Sequence, residues 1–303
     1  MINSVEITNY LEETITMDLR FPEQSGFLIQ SIDGLNPGKA NINVEEISGS
    51  DGSLYNSSRV NTRNILFSFI FKKYGITSIE DLRQKSYKYF PIKRQIKIVI
   101  ETDNRVCETY GYVESNEINI FSSNEGSIIS IICPDPYLYA PDVQITTFGS
   151  SESVFELPFS NESASEKLIE FGSINFTDIK TIYYLGDAPV GIIMSLHFTG
   201  EATNIEIMDA ETFETMFIDT VKLETLTGDP ISAGDEIVIS TVKGNKYAIL
   251  IRDGNTTNII NALGTSPTWF EIDKGDNLFS FSAVTGGEFI QFEITNKIAY
   301  EGV

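Results

Sequence analysis

Apolar and polar residues alternate with a period of two along much of this chain. In "NILFSFIF" the residues Ile65, Phe67, Phe69 and Phe71 fall on one face. In "RQIKIVI" Ile96, Ile98 and Ile100 share a face, with Lys97 and Val99 on the other. "EFIQFEI" sets Ile290, Phe292 and Ile294 against Gln291 and Glu293. Such alternation predicts half-buried antiparallel strands. Glycine-centred turns separate the runs in the second half: "TGDP" at 227–230, "SAGDE" at 232–236, "VKGNK" at 242–246, "RDGNT" at 252–256 and "DKGDN" at 273–277. Short strands with frequent turns predict a β-sandwich or barrel.

One segment follows the helical period instead. In "SIEDLRQKSYKYF", 78–90, Ser78 is placed to cap the N-terminus and Asp81 to complete a weak capping box. Acids occupy the first turn, Lys85 and Lys88 lie toward the end, and Pro91 stops it. Ile79, Leu82 and Phe90 are expected to face a core, with Arg83, Lys85 and Lys88 outward.

A chain of 303 residues, 41% hydrophobic, exceeds what one core usually supports. The boundary is expected at 140–150, where "APDVQITTFGSSES" combines proline, glycine and a serine cluster. This gives domains 1–142 and 143–303. A second polar loop, "SNESASEK" at 160–167, lies within the latter. No apolar run approaches the roughly 18–20 residues that span a bilayer. The N-terminus lacks the basic-then-apolar order of a signal peptide, so synthesis and residence in the cytoplasm of the producing cell are expected.

Charge is distributed unevenly. Of the net −22, residues 1–150 carry −6 and residues 151–303 carry −16. Between Arg59 and Lys97 the chain nevertheless holds ten basic residues and two acids, Glu80 and Asp81. This band is either a contact surface for an acidic partner or an ordinary solvated face. Its candidate interface residues are Arg59, Arg63, Lys72, Lys73, Arg83, Lys85, Lys88 and Arg94. Duplex nucleic acid is disfavoured as a partner by the strongly negative whole.

Candidate chemistry is sparse. Cys107 and Cys133 sit in strand-like runs and read as buried thiols. One histidine, His197, and no paired cysteine spacing argue against zinc. There is no G-x-S-x-G, no Walker loop and no G-x-G-x-x-G. "DKGDN" misses the spacing of a calcium loop. No enzymatic activity and no cofactor are expected, which leaves a binding or structural protein.

The stretch "IICPDPYLYAPD", 131–142, is stiff and aromatic. Pro134 lacks a donor and ends strand pairing, while Pro136 and Pro141 hold the chain extended. Tyr137 and Tyr139 are suited to bury a ring and leave the hydroxyl for a backbone partner. With Asp135, these residues form a candidate interdomain exit motif.

Here the sequence resembles a known family. "ISIICPDPYLYAP" is similar to the strand and Asp-Pro-Tyr exit of the distal tail proteins of long-tailed bacteriophages. In order along the chain, "FLIQSIDGLNPGKANINVEE" resembles that family's early hairpin and "RNILFSFIF" its central strand. Helix 78–90 with "FPIKRQIKIVIETDNRVCETYGYVESNEINI" resembles its helix, strand and hairpin. "GDAPVGIIMSLHFTG", "GDEIVIST", "DKGDNLFSFSA" and "YEGV" resemble strands of its C-terminal domain. The resemblance implies a mainly β protein, an N-terminal split β-barrel with one α-helix followed by a galectin-like β-sandwich. It implies a homohexameric ring at the virion tail tip, a baseplate hub. The implied partners are the tail tube protein, the tail-associated fibre or lysin and receptor-binding proteins, with no direct nucleic acid and no membrane. The polar loop "SGSDGSLYNSSR", 48–59, is then an intersubunit belt or a hairpin tip. A galectin-like sandwich also raises an alternative, a carbohydrate-binding protein acting in host-surface recognition. Its weak candidates are His197, Asn204 and Trp269, with no arginine near them in sequence.

Overall fold

The computed structural model describes residues 1–49, 51–148, 150–152, 173–175 and 179–303, with backbone alone for 150–152 and 173–175. The loop expected at 160–167 lies outside these residues. The chain is mainly β and divides into two compact units, Met1–Asp142 with Ala299–Val303, and Val143–Ile298. The last five residues, expected to end the second domain, belong to the first unit. The expected linker is also strand: β10, as numbered below, runs without a break from Leu138 to Phe148. Pro141 is tolerated within it because its side is exposed.

In the first unit the strands are β1 (Ile2–Thr8), β2 (Thr14–Asp18), β3 (Phe27–Asp33), β4 (Ala40–Glu46), β5 (Ser53–Val60), β6 (Arg63–Phe71), β7 (Gln95–Thr102), β8 (Val106–Ile118), β9 (Gly126–Cys133) and the start of β10 (Leu138–Phe148). Helix α1 (Pro22–Ser25) joins β2 to β3, and α2 (Ile79–Tyr89) lies between β6 and β7. The pairing order is β2-β1-β7-β8-β9-β6-β3, all antiparallel. β8 turns the corner. Its first half pairs with β7 and its second with β9, with a register shift between Val113 and Ser115. A bulge of this kind bends a strand from one part of a barrel into the next. The strands curl round one core, open between β2 and β3, as a split barrel should.

The alternating residues supply that core. Ile65, Phe67, Phe69 and Phe71 from β6, Ile96, Ile98 and Ile100 from β7, and Ile129 and Ile131 from β9 are buried together. Leu82 and Phe90 seal one side, and the Phe90 ring lies 6.0 Å from Phe69 and 6.3 Å from Phe67. Helix α2 has a full capping box: the Asp81 amide donates to Ser78 Oγ, and the Ser78 amide donates to the Asp81 carboxylate. Gly26 ends α1 at φ 84°, directly against Leu82. A Cβ there would lie 2.3 Å from Leu82 Cδ2. Gly26→Ala therefore combines a strained backbone with a clash in the core, and is expected to cost about 2–3 kcal/mol. Urea denaturation checks this; a change within a few tenths of a kcal/mol would mean that the α1 turn relaxes freely.

The second unit begins within β10 and holds β11 (Ser150–Glu152), β12 (Ser173–Asn175), β13 (Ile179–Tyr184), β14 (Val190–Gly191), β15 (Ile193–Phe198), β16 (Thr203–Asp209), β17 (Thr215–Ile218), β18 (Glu236–Ser240), β19 (Tyr247–Arg252), β20 (Asn255–Asn258), β21 (Glu271–Ile272), β22 (Gly275–Thr285) and β23 (Ile290–Tyr300). One sheet runs β10-β23-β15-β18-β19-β20 and the other β13-β22-β16-β17. Phe281 of β22 meets Phe292 of β23 with ring centres 5.3 Å apart, so the two sheets face each other as a sandwich. Met194, Leu196, Ile237, Ile239 and Leu250 fill it from one side, and Ile182, Ile205, Ile207, Met216 and Phe279 from the other. The β19–β20 turn has both Asp253 and Gly254 at positive φ, the backbone a tight two-residue hairpin requires. Helix α3 (Thr220–Thr227) was not expected. Asp219 caps it by accepting from the Val221 and Lys222 amides, and among its residues Leu223 is buried.

Candidate interaction surfaces

The exit motif is a local hydrogen-bonded turn. Asp135 Oδ1 accepts from the Tyr137 amide at 3.0 Å, and Oδ2 accepts from the Tyr139 hydroxyl at 2.7 Å. The expected backbone partner for the Tyr139 hydroxyl is thus the Asp135 carboxylate. Tyr137 and Tyr139 are half-buried, while Leu138 and Ala140 between and after them are buried. Pro134 ends β9 one residue after Cys133, and Pro136 presents its carbonyl to Arg63.

Arg63 was expected in a surface band. It is 5% exposed. Nε donates to the Pro136 carbonyl at 2.6 Å, Nη1 to Gly34 at 2.5 Å and Asn36 at 2.9 Å, and Nη2 to Glu301 at 2.6 Å. The planar fork thereby gathers three stretches of the first unit: the β3 exit, the exit motif and the returning C-terminus. Arg105 assists, donating to the Gly302 carbonyl at 3.2 Å and lying 4.4 Å over the Tyr300 ring. Burial pulls the Arg63 pKa down, but an arginine retains its charge at any working pH.

Most of the remaining band is also engaged inside the unit. Arg83 pairs with Glu125 at 3.0 Å, Lys88 with Glu13 at 2.7 Å and Lys97 with Glu108 at 2.7 Å. Lys85 donates to the Ser25 carbonyl at 2.8 Å, and burial lowers its pKa. Arg94 stacks over Tyr10 at 5.0 Å. The outward helix face expected for Arg83, Lys85 and Lys88 is therefore not a free basic surface. Arg59, Lys72 and Lys73 are exposed. Both cysteines are buried, and burial pushes the Cys133 thiol up, away from reactivity.

The polar loop expected at 48–59, as a belt or a hairpin tip, belongs to a two-stranded arm, with its residues from Ser53 onward in β5. β4 pairs with β5, from Ala40 opposite Val60 to Glu46 opposite Ser53, in a sheet of its own. "FLIQSIDGLNPGKANINVEE" is accordingly not one hairpin, since β3 pairs with β6 and β4 with β5. One face of the arm carries Ile42 and Val44 with Tyr55 opposite Val44; the other carries Asn41, Asn43 and Glu45. Ile42 is 59% exposed, Val44 52% and Tyr55 60%. An amphipathic ribbon has formed whose apolar face is left exposed, and an isolated two-stranded ribbon is marginal in water. Nothing in the alternation distinguishes such a ribbon from a core strand, which is why the sequence did not reveal it.

The three weak carbohydrate candidates occupy separate elements. His197 is exposed on β15, Asn204 lies on β16 at φ 49° with its side chain near Thr220, and Trp269 lies beneath Lys246 Nζ at 5.3 Å. Among the described residues no hydrogen bond links any two of them, and no group of acid, histidine or cysteine side chains is arranged to hold a metal. Among the described residues no helix is long and apolar enough to cross a membrane.

No protein-family model matches the sequence, and no curated protein does. Solved structures do match. Chains of the phage P2 baseplate in its activated conformation, with calcium and with strontium, give TM-scores of 0.47 and 0.45, each at 10% identity, covering 98% and 97% of this chain and the same shares of their own. The Dit (gp 19.1) protein of phage SPP1, described as a paradigm of hub adsorption apparatus in phages infecting Gram-positive bacteria, gives a TM-score of 0.65 at 13% identity, covering 97% of this chain and 98% of its own. A mainly β chain matched nearly end to end at that score has the fold of the phage Dit hub protein.

Proposed function

We propose that this chain is a distal tail protein, a structural component of the tail tip of a bacteriophage or a tail-like particle, without catalytic activity. In this reading copies form a homohexameric hub ring. The ring joins the tail tube protein to the tail-associated fibre or lysin and to receptor-binding proteins. The observation that carries it is the match to the Dit fold over 97% of this chain at a TM-score of 0.65. The arm β4–β5 supports it, because its apolar face needs another surface to cover it. The Asp135 turn and the Arg63 clamp support it too, as rigid joints suit a subunit that must repeat one geometry round a ring.

The test is to raise antibodies against the purified chain and apply them to particles from a culture that makes it. Gold label is expected at one end of the tail, with intact particles carrying the protein in a fixed ratio to the tube subunit. Particles that purify without it, or label spread along the tube, would refute the hub reading.

A further inference from the structure

The arm joins the barrel through two short legs, residues 34–39 before β4 and 61–62 after β5. Among the described residues β4 and β5 pair only with each other, so the direction of the arm is set at these legs. The exit leg runs straight into Arg63 at the start of β6. The entry leg is gripped along its length. Gly34 turns at φ 88° against β6, where a Cβ would lie 2.0 Å from the Asn64 carbonyl oxygen. Leu35 is buried in the barrel core. Three successive carbonyls of this leg are then bound. Those of Gly34 and Asn36 accept from Arg63 Nη1, and that of Leu35 accepts from the Val303 amide at 3.3 Å. Gly302 lies against the same leg: a Cβ there would stand 3.0 Å from the Leu35 oxygen and 3.1 Å from Pro37 Cδ.

The last residues are themselves fixed. The Glu301 carbonyl accepts from Arg63 Nη2, the Gly302 carbonyl accepts from Arg105, and the Tyr300 ring lies beneath Arg105. One guanidinium thus holds the entry leg with one nitrogen and the C-terminal residues with another. Because the fork is planar, the bond to Glu301 also orients the nitrogen that binds Gly34 and Asn36.

We infer that residues 301–303 are a strap that locks the root of the arm and sets its direction. Without the strap the entry leg becomes a hinge, since a few loop residues suffice to absorb such a rotation. With it, Ile42, Val44 and Tyr55 are presented in one direction, which lowers the ordering cost for any surface that covers them. The inference does not rest on the hub reading.

The test measures the arm directly. Spin labels are attached at Ser53→Cys near the arm tip and Glu117→Cys on β8, both exposed, while the native cysteines are buried. Labelled chain is diluted in excess unlabelled chain, so that only distances within one copy are read by pulsed electron spin resonance. Thr16→Cys with Glu117→Cys, both on barrel strands, is the control pair. The intact chain is expected to give a single narrow distance for each pair. Ending the chain after Tyr300 is expected to broaden the arm pair and leave the control pair narrow. Seven paired residues make the arm about 20 Å long, so a swing of about 20° at the root spreads the tip over about 7 Å. Gly302→Val keeps the chain entire and pushes the strap off Leu35 and Pro37. It is expected to broaden the arm pair less, and it decides the question should the shortened chain fail to fold. An arm pair that stays narrow in both variants would show that Arg63 and Leu35 hold the root unaided and would overturn the strap. An arm pair already broad in the intact chain, or a control pair that broadens equally, overturns it as well.

Discussion

Arg63→Met is expected to destabilise the first unit by about 4–5 kcal/mol, the upper end of what a single substitution does. Hydrogen bonds from a charged donor contribute roughly 1.5–3 kcal/mol each, and this guanidinium makes four, to the carbonyls of Gly34, Asn36, Pro136 and Glu301. Methionine keeps much of the volume but leaves those carbonyls without a donor in a buried place. The effect will be below the sum of four bonds, because water can enter beside Glu301 once the tail loosens. Arg63→Lys is expected to recover only a small part, since a point-like ammonium cannot span carbonyls that a planar fork reaches in three directions. Urea denaturation gives the energy. Hydrogen exchange gives the location: the Val303 amide, bonded to the Leu35 carbonyl at 3.3 Å, should lose protection before the barrel core does. A loss under about 1 kcal/mol with the tail still protected would show that the clamp is incidental to stability.

That clamp also shows what a sequence read along its length conceals. Arg63 opens a strand inside a basic stretch, and by neighbours alone it reads as a surface cation. Its partners come from far along the chain, and only the fold brings the C-terminus to it. The same holds for Arg83 with Glu125 and Lys88 with Glu13, where counting charge within a window misses acids delivered by other strands. Reversing Arg83, Lys85 and Lys88 to Glu would therefore also break contacts that tie the helix to other parts of the first unit. The features that were legible are those set by local rules. The period-two alternation at 65–71, 96–100 and 290–294 names buried faces because a strand sends successive side chains to opposite sides. Ser78 and Asp81 name the helix start because the capping bonds are made three residues apart. Helix α3 escaped because three of its eight residues are threonine and one buried leucine gives no periodic stripe. The arm escaped for a different reason. Ala40, Ile42 and Val44 alternate as well as any core strand, and alternation reports an apolar face without saying whether a second layer covers it.

Arg252→Met is expected to destabilise the second unit by about 3–5 kcal/mol at neutral pH, with a pH dependence that identifies the cause. Arg252 is the sole arginine after residue 150, and it is spent on an ion pair inside the fold. Nε lies 2.8 Å from Asp235 Oδ1 and Nη2 lies 2.6 Å from Oδ2, while Nη2 also donates to the Pro230 carbonyl at 2.7 Å. The Asp235 side chain is 2% exposed, and Oδ2 accepts from the Ser232 amide at 2.8 Å. Burial by itself raises the Asp235 pKa, but the Arg252 and Ser232 hydrogen bonds outweigh it and hold the carboxyl below its ordinary value. A depressed folded pKa contributes stability that is present above the unfolded value, about 3.9, and is lost as pH falls through the folded value. In the variant the carboxylate stays buried without its cation, so burial dominates and its pKa rises above the unfolded value. The penalty is then largest at neutral pH and is relieved as acid protonates the group. Wild type and variant should therefore differ most near pH 7 and converge toward about pH 3. Asp235→Asn added to Arg252→Met removes the stranded charge and is expected to recover much of the loss and to flatten this dependence. Urea midpoints of the three variants across that range provide the measurement. A difference that stays constant with pH would mean that Arg252 acts through packing of its stem and its bond to Pro230, with no contribution from the charge on Asp235.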